Sequence, residues 1–174
     1  NIVRAITRST DTFFYKVGEL VGVEKLAEWA GKFGLGQKTG VDLPGEASGL
    51  VPNPDWKIKT KGERWFLGNT YHMAIGQGDV AATPLQVNAM TGVIASGGKL
   101  CTPHIAKVDD GGWKMENCKE LGLREETVKL VTEGMAGACS PGGTAYPLFT
   151  FAPKVACKTG TAEFGDSQDR THAW

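Results

Sequence analysis

KVACKTGTAEFG, residues 154–165, holds at its centre Lys158-Thr159-Gly160-Thr161, a charged lysine, two threonines and a glycine that together can hold an anion. Lys158 supplies a positive charge, or a titratable amine where water is excluded. Thr159 and Thr161 supply hydroxyls, and Gly160 leaves room for a second backbone to approach. On a strand, this set suits an extended peptide that adds to the strand edge and ends in a carboxylate. A glycine-rich turn, SPGGTA at 140–145, leads into it. Far upstream, Ser9-Thr10-Asp11 places a hydroxyl and a carboxylate at a helix entry, where capping is the simpler use of both. Between them lies IGQGDVAATPLQ, residues 75–86.

These groups need elements to position them. DTFFYKVGELVG, from Asp11, reads as a helix capped by Asp11 or Thr12. VEKLAEWAGKFG follows, with Leu26, Trp29, Ala30 and Phe33 at helical spacing and Gly34 at its end. The two are expected to form a helical hairpin with one buried seam. From Gly36 to Thr70 no period is sustained, and Trp56, Trp65 and Phe66 are expected to pin this long connection to the body. TPLQVNAMTGVIASGG reads as a helix with Thr83 as cap, Pro84 as first residue and Gly97-Gly98 as its end. A hairpin turning at Asp110-Gly111-Gly112, a helix over REETVKLVTEGMAGAC and a strand over KVACKTGTAEF complete the chain. That strand has no evident partner, although its backbone groups need one.

The 174 residues carry 19 basic and 19 acidic side chains, so no basic excess points to nucleic acid. No apolar run reaches the ~20 residues of a membrane span. GKFGLGQKTG departs from phosphate-loop spacing and follows a helix. His72, His104 and His172 lack metal-ligand spacing, and no metal or organic cofactor is called for. Cys101, Cys118, Cys139 and Cys157 form no CxxC pair. They are either small buried residues or one or two disulfides. The hairpin would bring Cys101 and Cys118 to nearly facing positions, while Cys139 and Cys157 flank the segment entering the lysine strand.

Taken in order, these stretches resemble the transpeptidase domain of class B penicillin-binding proteins, most like the cell-elongation type. The family carries SxxK, then SxN or SxD, then K[ST]G. Ser9-Thr10-Asp11 matches the second motif and Lys158-Thr159-Gly160 the third. GQGDVAATPLQ looks like the family's GQG…TPLQ signature, and the terminal HAW like the start of its next strand. The resemblance runs from about Arg4 to Trp174. It implies an α+β, helix-rich portion of the penicillin-binding-protein/β-lactamase-like fold, with one hairpin and the KTG strand. The chain is then expected to be a partial domain, truncated at both ends. Its one SxxK, Ser96-Gly97-Gly98-Lys99, follows the second motif, and its glycines end a helix, so the attacking serine is expected upstream.

The resemblance implies a serine-type D,D-transpeptidase. The serine attacks a D-Ala-D-Ala stem peptide, a second stem peptide's amine resolves the acyl-enzyme, and β-lactams stall it. It assigns catalytic roles to Ser9, Asp11 and Lys158. Ser9 would relay a proton to the leaving amine, and Lys158 would hold the local field positive. Thr159, Gly160 and Thr161 would bind substrate, the Thr161 N–H supplying half of an oxyanion hole. Strict alternation sets Lys158 and Thr161 on opposite strand faces, which an edge position or a twist must reconcile. Implied partners are peptidoglycan stem peptides, β-lactams and cell-wall elongation proteins. The implied location is outside the cytoplasmic membrane, with an anchor beyond these residues. A penicillin-recognising sensor domain, a β-lactamase-like hydrolase and a non-catalytic cell-wall module are the alternatives.

Overall fold

The computed structural model describes residues 1–106, 117–163 and 170–173. Its elements are α1 (Ile2–Arg8), α2 (Asp11–Val21), α3 (Val23–Lys32), α4 (Pro54–Lys61), α5 (Leu67–Ala74), α6 (Pro84–Ala95), β1 (Lys99–Cys101), β2 (Cys118–Glu120), α7 (Glu125–Ala138), β3 (Thr161–Glu163) and β4 (Thr171–Ala173). A 3-10 turn covers Tyr146–Leu148. The helix-rich α+β class is as expected, with small antiparallel sheets β1–β2 and β3–β4.

Two compact units share the chain. The first combines Asn1–Val21, Leu67–Gly78 and Glu125–Trp174. Here α1 packs on α7, and α2 on α5. The α1–α7 approach is close because α7 presents glycines. A Cβ added at Gly134 would stand 2.7 Å from the Ile6 Cβ, and one at Gly137 would fall on the Thr7 hydroxyl. The Thr7 Oγ1 instead donates to the Gly134 carbonyl at 3.2 Å. Tyr15 of α2 stacks on Tyr71 of α5 with ring centroids 5.3 Å apart. The Tyr71 hydroxyl donates to Glu19 at 3.2 Å. The expected α2–α3 seam is therefore corrected: α2 packs on α5, and α3 is part of the second unit.

The second unit comprises Gly22–Phe66 and Asp79–Arg124. Helix α6 starts as its sequence requires, with Thr83 as N-cap, Pro84 in the first turn and a reciprocal capping box to Gln86. Gln86 is completely buried. Its Nε2 donates to the Gln37 carbonyl at 2.6 Å and the Ser48 carbonyl at 2.8 Å, while its Oε1 accepts from the Thr83 N–H at 2.9 Å. One side chain thus holds a long irregular segment against a helix start. Gly49 lies beside it with φ +63°, and a Cβ there would fall on the Ala81 carbonyl and crowd the Gln86 Oε1. Leu50 and Ala81 then form an isolated antiparallel bridge.

Three further expectations need correction. The stretch from Gly36 to Thr70 contains α4 and the start of α5. Asn53 caps α4 and Pro54 opens it, a start signal outweighed in the sequence by the surrounding Gly and Pro. Phe66 is 62% exposed and pins nothing by burial, although the Lys57 amine lies over its ring at 5.6 Å. Finally, β3 is only Thr161–Glu163, and it does have a partner: Thr161 faces Ala173, Ala162 faces His172 and Glu163 faces Thr171. The next strand, β4, starts at Thr171 and runs into the HAW segment; Trp174 lies outside the described residues, as do the turn at 110–112 and Phe164.

Both cysteine pairs are bonded, Cys101 to Cys118 across β1–β2 and Cys139 to Cys157. Replacing Gln86 by Leu removes two donated bonds and one accepted bond at a buried site, and should cost about 2–4 kcal/mol. The denaturation midpoint should fall accordingly with the m-value unchanged; a loss below about 0.5 kcal/mol would show that other groups hold the segment.

Candidate active site

The first unit brings Ser9 and Lys158 together although 149 residues separate them: the Lys158 amine donates to the Ser9 Oγ at 2.9 Å. Ser9 is the C-cap of α1, with φ 50° and ψ 54°, the one non-glycine residue with positive φ among those described. Its backbone N–H closes the helix on Ala5 and Ile6. Such a conformation costs a non-glycine residue of order 1 kcal/mol and is kept where the surroundings hold it. Here it turns the chain between α1 and α2 and leaves the hydroxyl for Lys158. Capping at a helix entry, the simpler use of Ser9, is not how the residue is employed. Asp11 is the first residue of α2, an acid at the positive end of that helix.

Lys158 is held from several directions. Its amine donates a second bond, at 2.7 Å, to the Thr159 carbonyl. The preceding residue, Cys157, donates its N–H to the Met135 carbonyl of α7 at 3.1 Å and is disulfide-bonded to Cys139 just beyond the end of that helix. Lys158 therefore approaches Ser9 from an anchored segment and not from within a strand. Since β3 starts only at Thr161, the alternation that set Lys158 and Thr161 on opposite faces does not apply. Loss of water pushes the Lys158 amine below the usual lysine range, and the Asp11 carboxylate pulls it partly back. The residue as a whole is exposed; the amine end, drawn against Ser9 and Thr159, is the part that desolvates.

The other motif residues are close by. The Thr159 and Thr144 hydroxyls are 2.9 Å apart and share a hydrogen bond. Gly160 joins Thr159 to β3. The Thr161 carbonyl accepts from the Gln77 Nε2 at 2.7 Å, and the Glu163 N–H donates to the Gln77 Oε1 at 3.3 Å. Thr144 and Gln77 had no role assigned from sequence. Both stand inside stretches that drew notice, the SPGGTA turn and the GQG signature, but neither spacing reveals a side-chain partner. Ser96 does the opposite of what SxxK asks. Its hydroxyl accepts from the Lys99 N–H at 3.1 Å, and the Lys99 amine pairs with Glu120 at 3.3 Å.

A positively charged amine, a hydroxyl bonded to it and a short strand edge nearby are groups with the chemistry to hold an anionic, extended ligand. The penicillin-binding-protein transpeptidase domain model matches residues 1–174. The chain belongs to this family. It is of the class B kind, similar to the peptidoglycan D,D-transpeptidase MrdA of Acinetobacter baumannii, 38% identical over 173 residues, 94% of this chain and 25% of that protein. MrdA of Escherichia coli K12 is 37% identical over 181 residues, 99% of the chain and 29% of the protein. The Helicobacter pylori penicillin-binding protein PBP2 in its complex with MreC is 41% identical, with a TM-score of 0.87 over 100% of this chain and 32% of that one. Pseudomonas aeruginosa PBP2 in complex with WCK 5153 gives 36% and 0.86 over 97% and 39%. The chain thus spans about a quarter to 29% of the curated relatives' length.

Because the Asp11 charge favours the ammonium form, Asp11→Asn should leave desolvation to act alone and move the Lys158 titration to lower pH. Following the Lys158 Cε by NMR through the alkaline range checks this; a midpoint that stays or rises would show that Asp11 does not act on this amine.

Proposed function

We propose that these residues are part of a peptidoglycan D,D-transpeptidase site that cross-links stem peptides through a serine acyl-enzyme and takes β-lactams as stalled substrates. The observation that carries the reading is the 2.9 Å bond between Lys158 and Ser9, the third and second family motifs. Nearby, the Thr159 hydroxyl and the β3 backbone offer anion and peptide contacts. The names of the relatives support the same chemistry.

In this reading the nucleophilic serine comes from residues outside these 174, since Ser96 and Lys99 are engaged in a helix end and an ion pair. That serine forms an ester with the penultimate D-Ala carbonyl as the C–N bond breaks. Its proton passes through the Ser9 hydroxyl, between that motif's lysine and Lys158, to the departing D-Ala amine. A second stem peptide's amine then attacks the ester, forms the cross-link and returns the proton to the serine. Lys158 keeps the potential positive around the substrate carboxylate and the oxyanion. Thr159 and Thr161 bind that carboxylate, Gly160 admits the peptide backbone, and the Thr161 N–H serves the oxyanion hole. The whole protein would work outside the cytoplasmic membrane on an anchor, with cell-wall elongation partners. The solved complex of a relative with MreC favours this setting.

In the full-length protein, labelled penicillin should form an adduct that is released slowly. Ser9→Ala and Lys158→Ala should each slow its formation about 100-fold. Asp11→Asn should retain acylation within about tenfold, because an amide can still hydrogen-bond at that position. Rapid release would favour a β-lactamase-like hydrolase. A stable adduct on the isolated 174 residues would overturn the placement of the nucleophile outside them.

A further inference from the structure

Residues two apart in a strand direct their backbone groups to the same edge. The Thr161 carbonyl and the Glu163 N–H therefore form one acceptor–donor pair on β3. Gln77 takes both, donating to the first at 2.7 Å and accepting from the second at 3.3 Å. Among the described residues β4 is the one strand beside β3, so a carboxamide stands where a further strand would bond. A glutamine side chain carries the same donor and acceptor as a peptide group. Its supporting turn is built for reach: the Gln77 N–H is tied to the His72 carbonyl at 2.8 Å, and Gly76 and Gly78 flank it with φ of 74° and 73°. A Cβ at Gly78 would stand 3.2 Å from the His72 Cβ.

We propose that Gln77 is an intramolecular stand-in for the backbone of the peptide ligand, occupying the β3 edge when the site is empty and yielding it to a ligand amide. This rests on the reading of β3 as the peptide-binding edge. The side chain is half-buried, and among the described residues its hydrogen bonds are those to β3, so rotation about its χ angles is enough to clear the edge. Ligands that present an amide N–H to the Thr161 carbonyl replace what they displace. Ligands lacking that N–H leave Gln77 in place at no cost. Gln77 is thus a specificity-determining residue that competes selectively with amide-bearing ligands.

The test uses the full-length protein and two β-lactams: a penicillin with an acylamino N–H beside the ring, and a carbapenem without one. The readout is the second-order acylation rate constant for the penicillin divided by that for the carbapenem, a ratio that cancels a general change in site integrity. In Gln77→Ala the ratio should rise about 3- to 10-fold, the worth of one or two modest hydrogen bonds removed from competition. Gln77→Asn, too short to bridge both groups, should move the ratio the same way and keeps the test open if the alanine variant folds poorly. An unchanged or lowered ratio, with both rates reduced together, would make Gln77 a brace of β3 and overturn the proposal. Wild-type protein acylated by neither compound would overturn the transpeptidase reading and this inference with it.

Discussion

The contact between α1 and α7 is the constraint on which the site depends. Gly134 and Gly137 let the two helices approach until Thr7 reaches the Gly134 carbonyl. Two lines then run from that contact. Along α1, the helix ends at Ser9. Along α7, it ends at Ala138, and Cys139 bonds Cys157, the residue before Lys158. A hydroxyl and an amine on chain segments 149 residues apart thereby come within a hydrogen bond. Closing an 18-residue separation contributes about 3 kcal/mol through chain entropy, enough to offset the ordering of two or three residues of the lysine segment.

Position alone does not make the amine useful. A lysine in water holds its proton far too tightly to take part in proton transfer near neutrality. Here desolvation and the Asp11 charge act in opposite senses, with desolvation the larger. The ammonium remains available as a charge for a carboxylate, while its proton is easier to move than in a free lysine. Ser9, in its left-handed conformation, has its hydroxyl on that amine and its N–H on α1, so the group that would carry a proton is fixed at both ends.

Much of this was legible in the residue types. Thr83-Pro84 and Gln86 announce the start of α6, because capping is a local interaction between near neighbours. Gly97-Gly98 announce its end in the same way, with Ser96 as the C-cap. The burial of Gln86 against Gln37 and Ser48 was not legible, because nothing in 36–50 marks which carbonyls lack a partner. Helix α1 was missed for want of a period within seven residues. The division of α2 and α3 between units was missed as well. Both are amphipathic, and amphipathicity says that a face is covered without saying by what. Among the site residues, Ser9, Asp11 and Lys158 stood out by type and order, whereas Gln77 and Thr144 acquire meaning only from their partners.

The shortness of β3 carries the last step. Were 154–160 part of the strand, its ladder would fix Lys158 and Thr159 by alternation, on opposite faces. Because the regular strand begins at Thr161, the segment before it is free to aim the Lys158 amine at Ser9 and the Thr159 hydroxyl at Thr144. Only Thr161–Glu163 retain strand geometry, and on the edge away from β4 the Thr161 carbonyl and the Glu163 N–H have the spacing of a strand's acceptor and donor. A disulfide and one α7 carbonyl hold the irregular part; the β4 ladder holds the regular part. Aimed side chains and a regular strand edge thus lie end to end on the same ten residues, each stabilised by different interactions.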